Sequence, residues 1–253
     1  MGRHEDAVEV FAIGVREGLW STYLCRPSPS EIPPHPSYYS SKYIGKYFFT
    51  AAEMGYISQP FMNALGAIKE EVMDSAAVSD AWRRERAGLH SDGNWSQFVF
   101  MVNGVLNMDA CQAHQSLCSI LSSIPSLHIR DGQVKLSRMR PGTVVRPHAG
   151  PSNERLRMHC SILIPDNGAS TSSFRVGTES RSWEDGDCFV FQESCEHEVI
   201  ITPEAKGDRI VLIIDFASPF INMESFSEAV LPSFRPLAVE QYLSFWESST
   251  REL

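Results

Sequence analysis

Arg155-Leu156-Arg157-Met158-His159-Cys160-Ser161-Ile162-Leu163-Ile164 alternates in a way that suits an extended chain. Successive side chains of a strand point to opposite faces. Leu156, Met158, Cys160, Ile162 and Ile164 therefore share one face, while Arg157, His159, Ser161 and Leu163 share the other. One face is apolar and the other carries cations. An arginine and a histidine two residues apart point the same way, and in the mouth of a rolled sheet they form an anion-binding wall. Arg155 and Arg157 could face solvent, but the strongly apolar opposite face favours burial of one of them against an acid.

Outward from this strand, two histidines stand at strand ends. His148 lies in Arg146-Pro147-His148-Ala149-Gly150-Pro151, bracketed by breakers, so that it sits where a strand meets a loop. His197 opens the apolar run His197-Glu198-Val199-Ile200-Ile201. The chain between them is long enough for several strands, the means by which a rolled sheet brings distant residues together. Two neutral imidazoles suit a non-haem Fe(II) that must keep positions open for a chelating co-substrate and O2. A strand-end histidine on its own is more often exposed or internally bonded. Further strands are expected at residues 134–139, 173–176, 188–191 and 209–216, between turns such as Pro165-Asp166-Asn167-Gly168 and Glu184-Asp185-Gly186-Asp187. Short strands with dense turns argue for a barrel or sandwich rather than alternating strand-helix units.

An ordered set of motifs carries a resemblance. Gly93-Asn94-Trp95-Ser96-Gln97-Phe98, Ser137, the stretch from Pro147 to Asn153, Arg155-Leu156-Arg157-Met158-His159, the Trp183-Glu184-x-Gly186 turn and Glu196-His197-Glu198-Val199 occur in this order. Together they resemble the catalytic domain of the aspartyl/asparaginyl beta-hydroxylases, over roughly residues 88 to 220. The resemblance implies a mainly β fold with flanking helices around a double-stranded β-helix (jelly-roll, cupin-like) core. It implies an Fe(II)- and 2-oxoglutarate-dependent dioxygenase with O2 as the other co-substrate. His148 and His197 look like the two iron ligands. Gly150 stands where most such oxygenases place an acid, and the beta-hydroxylases likewise have glycine there and leave that position to water. Ser137 and Arg209 resemble the pair that holds the distal carboxylate of 2-oxoglutarate, with Trp95 beside them. His159 resembles the histidine at its iron-chelating end, and Arg157 the arginine that grips a substrate carboxylate. The loop from Ile200 to Asp208 is two residues longer than the family's, which makes Lys206 a competing carboxylate partner.

The whole chain, at 253 residues with 43% hydrophobic and 21% charged residues, is expected to form a single oxygenase domain. Residues 1–90 would be a helical and aromatic part packed on the core, 91–220 the β-helix region and 221–253 C-terminal helices. The net charge of −9 argues against nucleic-acid binding, which needs clustered cations. No run of about 18 apolar residues exists, so no membrane partner is expected. Met1-Gly2-Arg3-His4-Glu5-Asp6 lacks the apolar core of a signal peptide, and a cytoplasmic enzyme acting on a small molecule is the expectation.

Among the six cysteines there is no Cys-x-x-Cys pair. Cys111 and Cys118 match in spacing a disulfide of the resembled family, but two reduced thiols on one helix is the reading preferred for a chain without a secretion signal. Cys160, Cys188 and Cys195 read as core. Residues 5–20 have helical spacing, residues 26–36 form a proline-rich loop, and the Tyr38 to Phe49 aromatic cluster is expected to pack rather than line a cleft. A helix is expected from Gln59 to about Arg86, ending in a solvated Arg83-Arg84-Glu85-Arg86 face. A strand is expected at 95–105, a helix at 109–123, and helical segments broken at Pro232 and Pro236 at the end. His35, His90, His114 and His128 are assigned structural or exposed roles, and Glu154, Glu196 and Glu198, though near the ligands, are expected to support them from outside or to face solvent.

Overall fold

A computed structural model describes residues 13, 17, 46–50, 53–76, 82–85, 89–150, 154–167, 171–221 and 223–250. The strands are β1 (Phe48–Phe49), β2 (Arg83–Arg84), β3 (His90–Asp92), β4 (Trp95–Val102), β5 (Val105–Leu106), β6 (Gln133–Met139), β7 (Val144–His148), β8 (Arg155–Leu163), β9 (Ser172–Val176), β10 (Glu179–Arg181), β11 (Cys188–Phe191), β12 (His197–Ile201) and β13 (Arg209–Ala217). The helices are α1 (Gly55–Ala76), α2 (Met108–Gln112), α3 (Gln115–Ser123), α4 (Met223–Ala229) and α5 (Arg235–Thr250).

Two antiparallel sheets face each other. The larger runs β1-β11-β8-β13-β6-β4-β2, with β5 added to β4, and the smaller runs β10-β9-β12-β7-β3. This is the jelly-roll sandwich expected of a double-stranded β-helix. The alternation of β8 decides which side faces what. Leu156, Met158, Cys160 and Ile162 point outward into a cluster with Leu212 and Ile214 of β13 and with Ile57, Phe61, Leu65 and Ile68 of α1. Arg157 and His159 point inward, where β8 pairs with Asp215 and Ile213 of β13 on one side and with Phe191 and Phe189 of β11 on the other. The large sheet is thus buried on both faces, by helices behind and by the small sheet in front, which explains the unbroken burial of β13.

Several local expectations change. Helix α1 ends at Ala76, and Arg83 and Arg84 are strand residues paired with Gln97 and Ser96. Arg83 and Arg84 are exposed as expected, but Glu85 is buried and paired with Lys135 at 3.1 Å. The expected 109–123 helix is two helices, with the break at Ala113-His114. That break corrects the reading of Cys111 and Cys118, which form a disulfide with their Cα atoms 5.6 Å apart. Seven residues along one continuous helix would set them about 10 Å apart, too far to bridge. Cys160 and Cys188 are core residues as expected, and as register partners on β8 and β11 they too are bonded.

Tyr47, Phe48 and Phe49 pack as expected. Phe48 sits edge-on to Phe174 and Phe189, and Phe49 stacks on Phe220. His114 and His128 are buried and bonded to backbone carbonyls, His114 to Ala110 at 2.8 Å and His128 to Gly104 at 2.8 Å. Pro236 lies in the first turn of α5, where a proline costs little, rather than at a break. The 26–36 loop and most of the 5–20 helix lie outside the described residues. Among the described residues no helix is long and apolar enough to cross a membrane.

Candidate functional site

The cavity between the sheets holds about 330 Å³. His148 at the end of β7 and His197 at the start of β12 enter it as register partners on neighbouring antiparallel strands. Their ring centroids are 4.2 Å apart. Each Nδ1 lies 2.8 Å from a backbone carbonyl two residues earlier, that of Arg146 for His148 and that of Cys195 for His197. A carbonyl only accepts, so both Nδ1 atoms donate. In the neutral ring the lone pair then sits on Nε2, the form in which imidazole binds a metal with its other nitrogen fixed by an outer partner. Burial keeps the His197 imidazole well below its ordinary pKa, and the neighbouring His148 acts in the same direction. Among the described residues no group of three or more His, Cys, Asp or Glu is arranged around a metal position, so a metal here would rest on the two imidazoles.

Gly150 is required by space. A Cβ there would lie 2.7 Å from Cδ of Glu193, and the Gly150 N–H donates to the Glu193 carbonyl at 2.8 Å. The volume where an acid at position 150 would project is filled by the carboxyl of Glu193, reaching in from the loop after β11. Glu196 and Glu198 instead pair with Arg175, at 3.0 and 2.5 Å.

The same cavity is lined by Arg209, the first residue of β13, only 1% exposed. Its Nε and Nη1 have no hydrogen-bond partner among the described residues. Burial pushes its pKa well below the ordinary guanidinium value, to about 9. A buried cation without an acid is costly unless a ligand completes it. Beside it, Trp95 Nε1 donates to Ser137 Oγ at 2.9 Å. The hydroxyl is thereby anchored and keeps its own hydrogen available to an acceptor. His159 is buried and held neutral by burial and by the charges of Arg209 and Arg157. Lys206 stands apart: its side chain is 84% exposed and its Nζ lies 3.6 Å from Asp166. The longer loop therefore leaves the cavity lining to Arg209.

Arg157 reaches the cavity wall with its charge already compensated. Its Nε and Nη2 donate to Asp215 at 2.6 and 3.0 Å, and Nη2 lies 2.7 Å from Glu193. Arg155 joins the same cluster through Glu193, at 2.6 Å from Nε. Both arginines are thus buried against acids, not one. Burial opposes the Arg157 charge, but Asp215 and Glu193 hold it firmly on. Burial likewise opposes ionisation of Glu193, and Arg157 with Arg155 keeps its carboxyl below the usual range. Asp215 was open to detection as a lone acid inside an apolar strand, a placement that demands a partner. Glu193 gave no such signal.

A family model described as Aspartyl/Asparaginyl beta-hydroxylase matches residues 63–219. The aspartyl/asparaginyl beta-hydroxylase of Homo sapiens is 38% identical over 149 residues, covering 58% of this chain and 19% of that protein. The ornithine lipid ester-linked acyl 2-hydroxylase of Rhizobium tropici is 25% identical over 152 residues, covering 58% and 52%. A prolyl-4-hydroxylase crystal structure from Pseudomonas putida aligns over 68% of this chain and 89% of its own, with a TM-score of 0.38 and 15% identity. The chain thus spans a fifth to about half of the two curated relatives named here. With well over half its length under the family model, and the motif residues gathered around one cavity, the chain belongs to the aspartyl/asparaginyl beta-hydroxylase family.

Proposed function

We propose that the cavity binds Fe(II) and 2-oxoglutarate, and that the chain is a 2-oxoglutarate-dependent dioxygenase that hydroxylates or otherwise oxidises a small carboxylate-bearing metabolite in a biosynthetic pathway. The observation that carries this reading is Arg209, a buried guanidinium whose Nε and Nη1 have no hydrogen-bond partner among the described residues, lining the same cavity as two oriented imidazoles. A dicarboxylate that chelates a metal with one end and needs a cation for the other complements the imidazoles and the guanidinium at once. His148 and His197 would hold the metal, and Arg209 with Ser137 the distal carboxylate. Bound there, iron with 2-oxoglutarate supplies O2 activation and the oxidising equivalents for attack on a C–H bond.

The protein's own part is positioning and exclusion of water. Phe174 and Phe191 flank His197 with ring centroids 6.1 and 5.4 Å away and give the site an apolar wall. Arg157 lies on the cavity wall, fixed by Asp215 and Glu193, where it would orient a polar substrate. The second reading, a peptidyl Asp/Asn hydroxylase, is favoured by the 38% identity to the human protein of that name; the cavity volume favours a metabolite. Disulfides persist in oxidising compartments, and Cys111–Cys118 and Cys160–Cys188 favour such a setting over the cytoplasmic one expected from the N-terminus.

A screen for succinate release tests the proposal. Amino acids, short acidic peptides and carboxylated metabolites are offered with Fe(II), 2-oxoglutarate and O2. Substrate-stimulated succinate from a metabolite supports the first reading, and from peptides alone the second. No succinate with any of them, under conditions where the protein is folded, contradicts both.

A further inference from the structure

Trp183 is completely buried in the turn between β10 and β11, and its sequence context marks it only as part of a turn motif. Two contacts set it apart. Arg209 Cζ lies over the face of its indole, 3.9 Å from the ring centroid. Its Nε1 donates to His159 Nδ1 at 3.4 Å. The two rings lie 20° from coplanar with centroids 6.1 Å apart, as an in-plane N–H···N bond requires. One side chain therefore touches Arg209, which the proposed function assigns to the distal carboxylate of 2-oxoglutarate, and His159, which the resemblance places at its iron-chelating end.

We infer that Trp183 is the positioning residue for the co-substrate, fixing the tautomer of His159 with its N–H and seating the guanidinium of Arg209 on its π-face. An indole N–H can only donate. It makes Nδ1 of His159 the acceptor, so the proton of the neutral ring stays on Nε2 and that nitrogen becomes a hydrogen-bond donor. The other contact solves a different problem. A carboxylate beside Arg209 would hold the cation but occupy the N–H groups a ligand needs. A π-face attracts the cation by its quadrupole and leaves the in-plane N–H groups free for an incoming carboxylate. Phe174 packs against both rings, 5.4 Å from Trp183 and 5.3 Å from His159, which limits how far either ring can turn.

The inference rests on the Fe(II) and 2-oxoglutarate reading, and the two roles of the indole can be separated. Trp183→Phe keeps a ring face and deletes the N–H. β-(3-benzothienyl)alanine incorporated at 183 deletes the N–H with almost no change of shape, which guards against a cavity artefact. Trp183→Leu removes the face as well. The first readout is a long-range 1H–15N histidine spectrum of the metal-free protein, with His159 assigned by His159→Gln. Wild type is expected to show His159 as the Nε2–H tautomer, and the Phe and benzothienyl variants a shift toward Nδ1–H. The second readout is calorimetric binding of 2-oxoglutarate to the protein loaded with Mn(II). The Phe and benzothienyl variants are expected to bind within about threefold of wild type, and Trp183→Leu about tenfold more weakly, through loss of the cation's platform.

An unmoved His159 tautomer in both N–H-deleted variants overturns the first role. Trp183→Leu binding as tightly as wild type overturns the second; should that variant not fold, a benzothienyl or Phe variant that loses binding along with the tautomer does so instead. Absence of 2-oxoglutarate binding by wild type itself sinks the underlying reading, an outcome distinct from either.

Discussion

Replacing Arg209 with methionine removes the charge while keeping most of the volume, and it should improve the empty protein while ruining its co-substrate affinity. The guanidinium is buried, and burial alone lowers its pKa well below the ordinary guanidinium value, to about 9. At about 1.36 kcal/mol per pKa unit, the cation costs the folded protein up to about 5 kcal/mol. The Trp183 face recovers about 2 kcal/mol of that, and imperfect refilling by methionine takes a little more, leaving a gain of about 1–3 kcal/mol for Arg209→Met. For a domain of this size that is a rise in Tm of about 2–10 °C in the absence of ligand. The same substitution should weaken 2-oxoglutarate binding by about 2–4 kcal/mol, roughly 30- to 1000-fold.

The assay pairs thermal melts of the metal-free protein with 2-oxoglutarate titrations on the Mn(II)-loaded form. Above about pH 9 the unfolded chain keeps a proton on Arg209 that the folded chain releases, so stability rises with pH there relative to Arg209→Met. Lys206→Ala is the control and should change affinity by no more than about 0.5 kcal/mol, because its amine is solvent-exposed beside Asp166. A destabilised Arg209→Met protein that still binds 2-oxoglutarate normally refutes the reasoning, for it would mean that the cation serves the fold.

Other outcomes follow from the same geometry. His148→Ala and His197→Ala should each abolish iron-dependent 2-oxoglutarate turnover with the circular dichroism spectrum retained, and substantial turnover by either removes the ligand assignment. Gly150→Asp should restore no triad and should lower Tm, since its Cβ would meet the Glu193 carboxyl at 2.7 Å; a stable, more active variant would show that position to be open. Asp215→Asn leaves Arg157 with one acid fewer in a buried cluster and should cost about 3–5 kcal/mol in denaturant unfolding. His159 has a pKa held well below 6.5 by burial, so below that pH the unfolded chain takes up a proton the folded one refuses. Stability should therefore fall as pH drops below about 6.5, and less steeply in His159→Gln; identical slopes would contradict a buried neutral imidazole.

What could be read before folding was what local alternation encodes. β8 declared its two faces through Leu156, Met158 and Cys160 against Arg157 and His159, and the breakers around His148 and the apolar run after His197 marked strand ends that the structure pairs. The compensation of charge was hidden because it is long-range. Arg157 meets Asp215 across 58 residues and Lys135 meets Glu85 across 50, and no period in the sequence ties such partners together. Glu85 was disguised further by three neighbouring arginines, which read as a solvated helix end although the chain has by then become an edge strand on β4. The Cys111–Cys118 disulfide was misjudged for a similar reason: it depends on a helix break at Ala113-His114 that residues of ordinary helical pattern do not announce. Trp183 was visible as a motif, but its contacts with His159 and Arg209 exist only once the β10–β11 turn is assembled against β8 and β13.

The central claim is that His148, His197 and Arg209 together form one site for a metal and a chelating dicarboxylate. Anaerobic titration of the protein with Fe(II) and then 2-oxoglutarate, followed by visible absorption, tests it most directly. The account predicts a weak charge-transfer band that requires both components, saturates at one 2-oxoglutarate per chain, is absent in His148→Ala and His197→Ala, and needs much higher 2-oxoglutarate in Arg209→Met. No band from the wild-type protein at saturating concentrations of both would contradict it and would leave the fold as a cupin-like binding module.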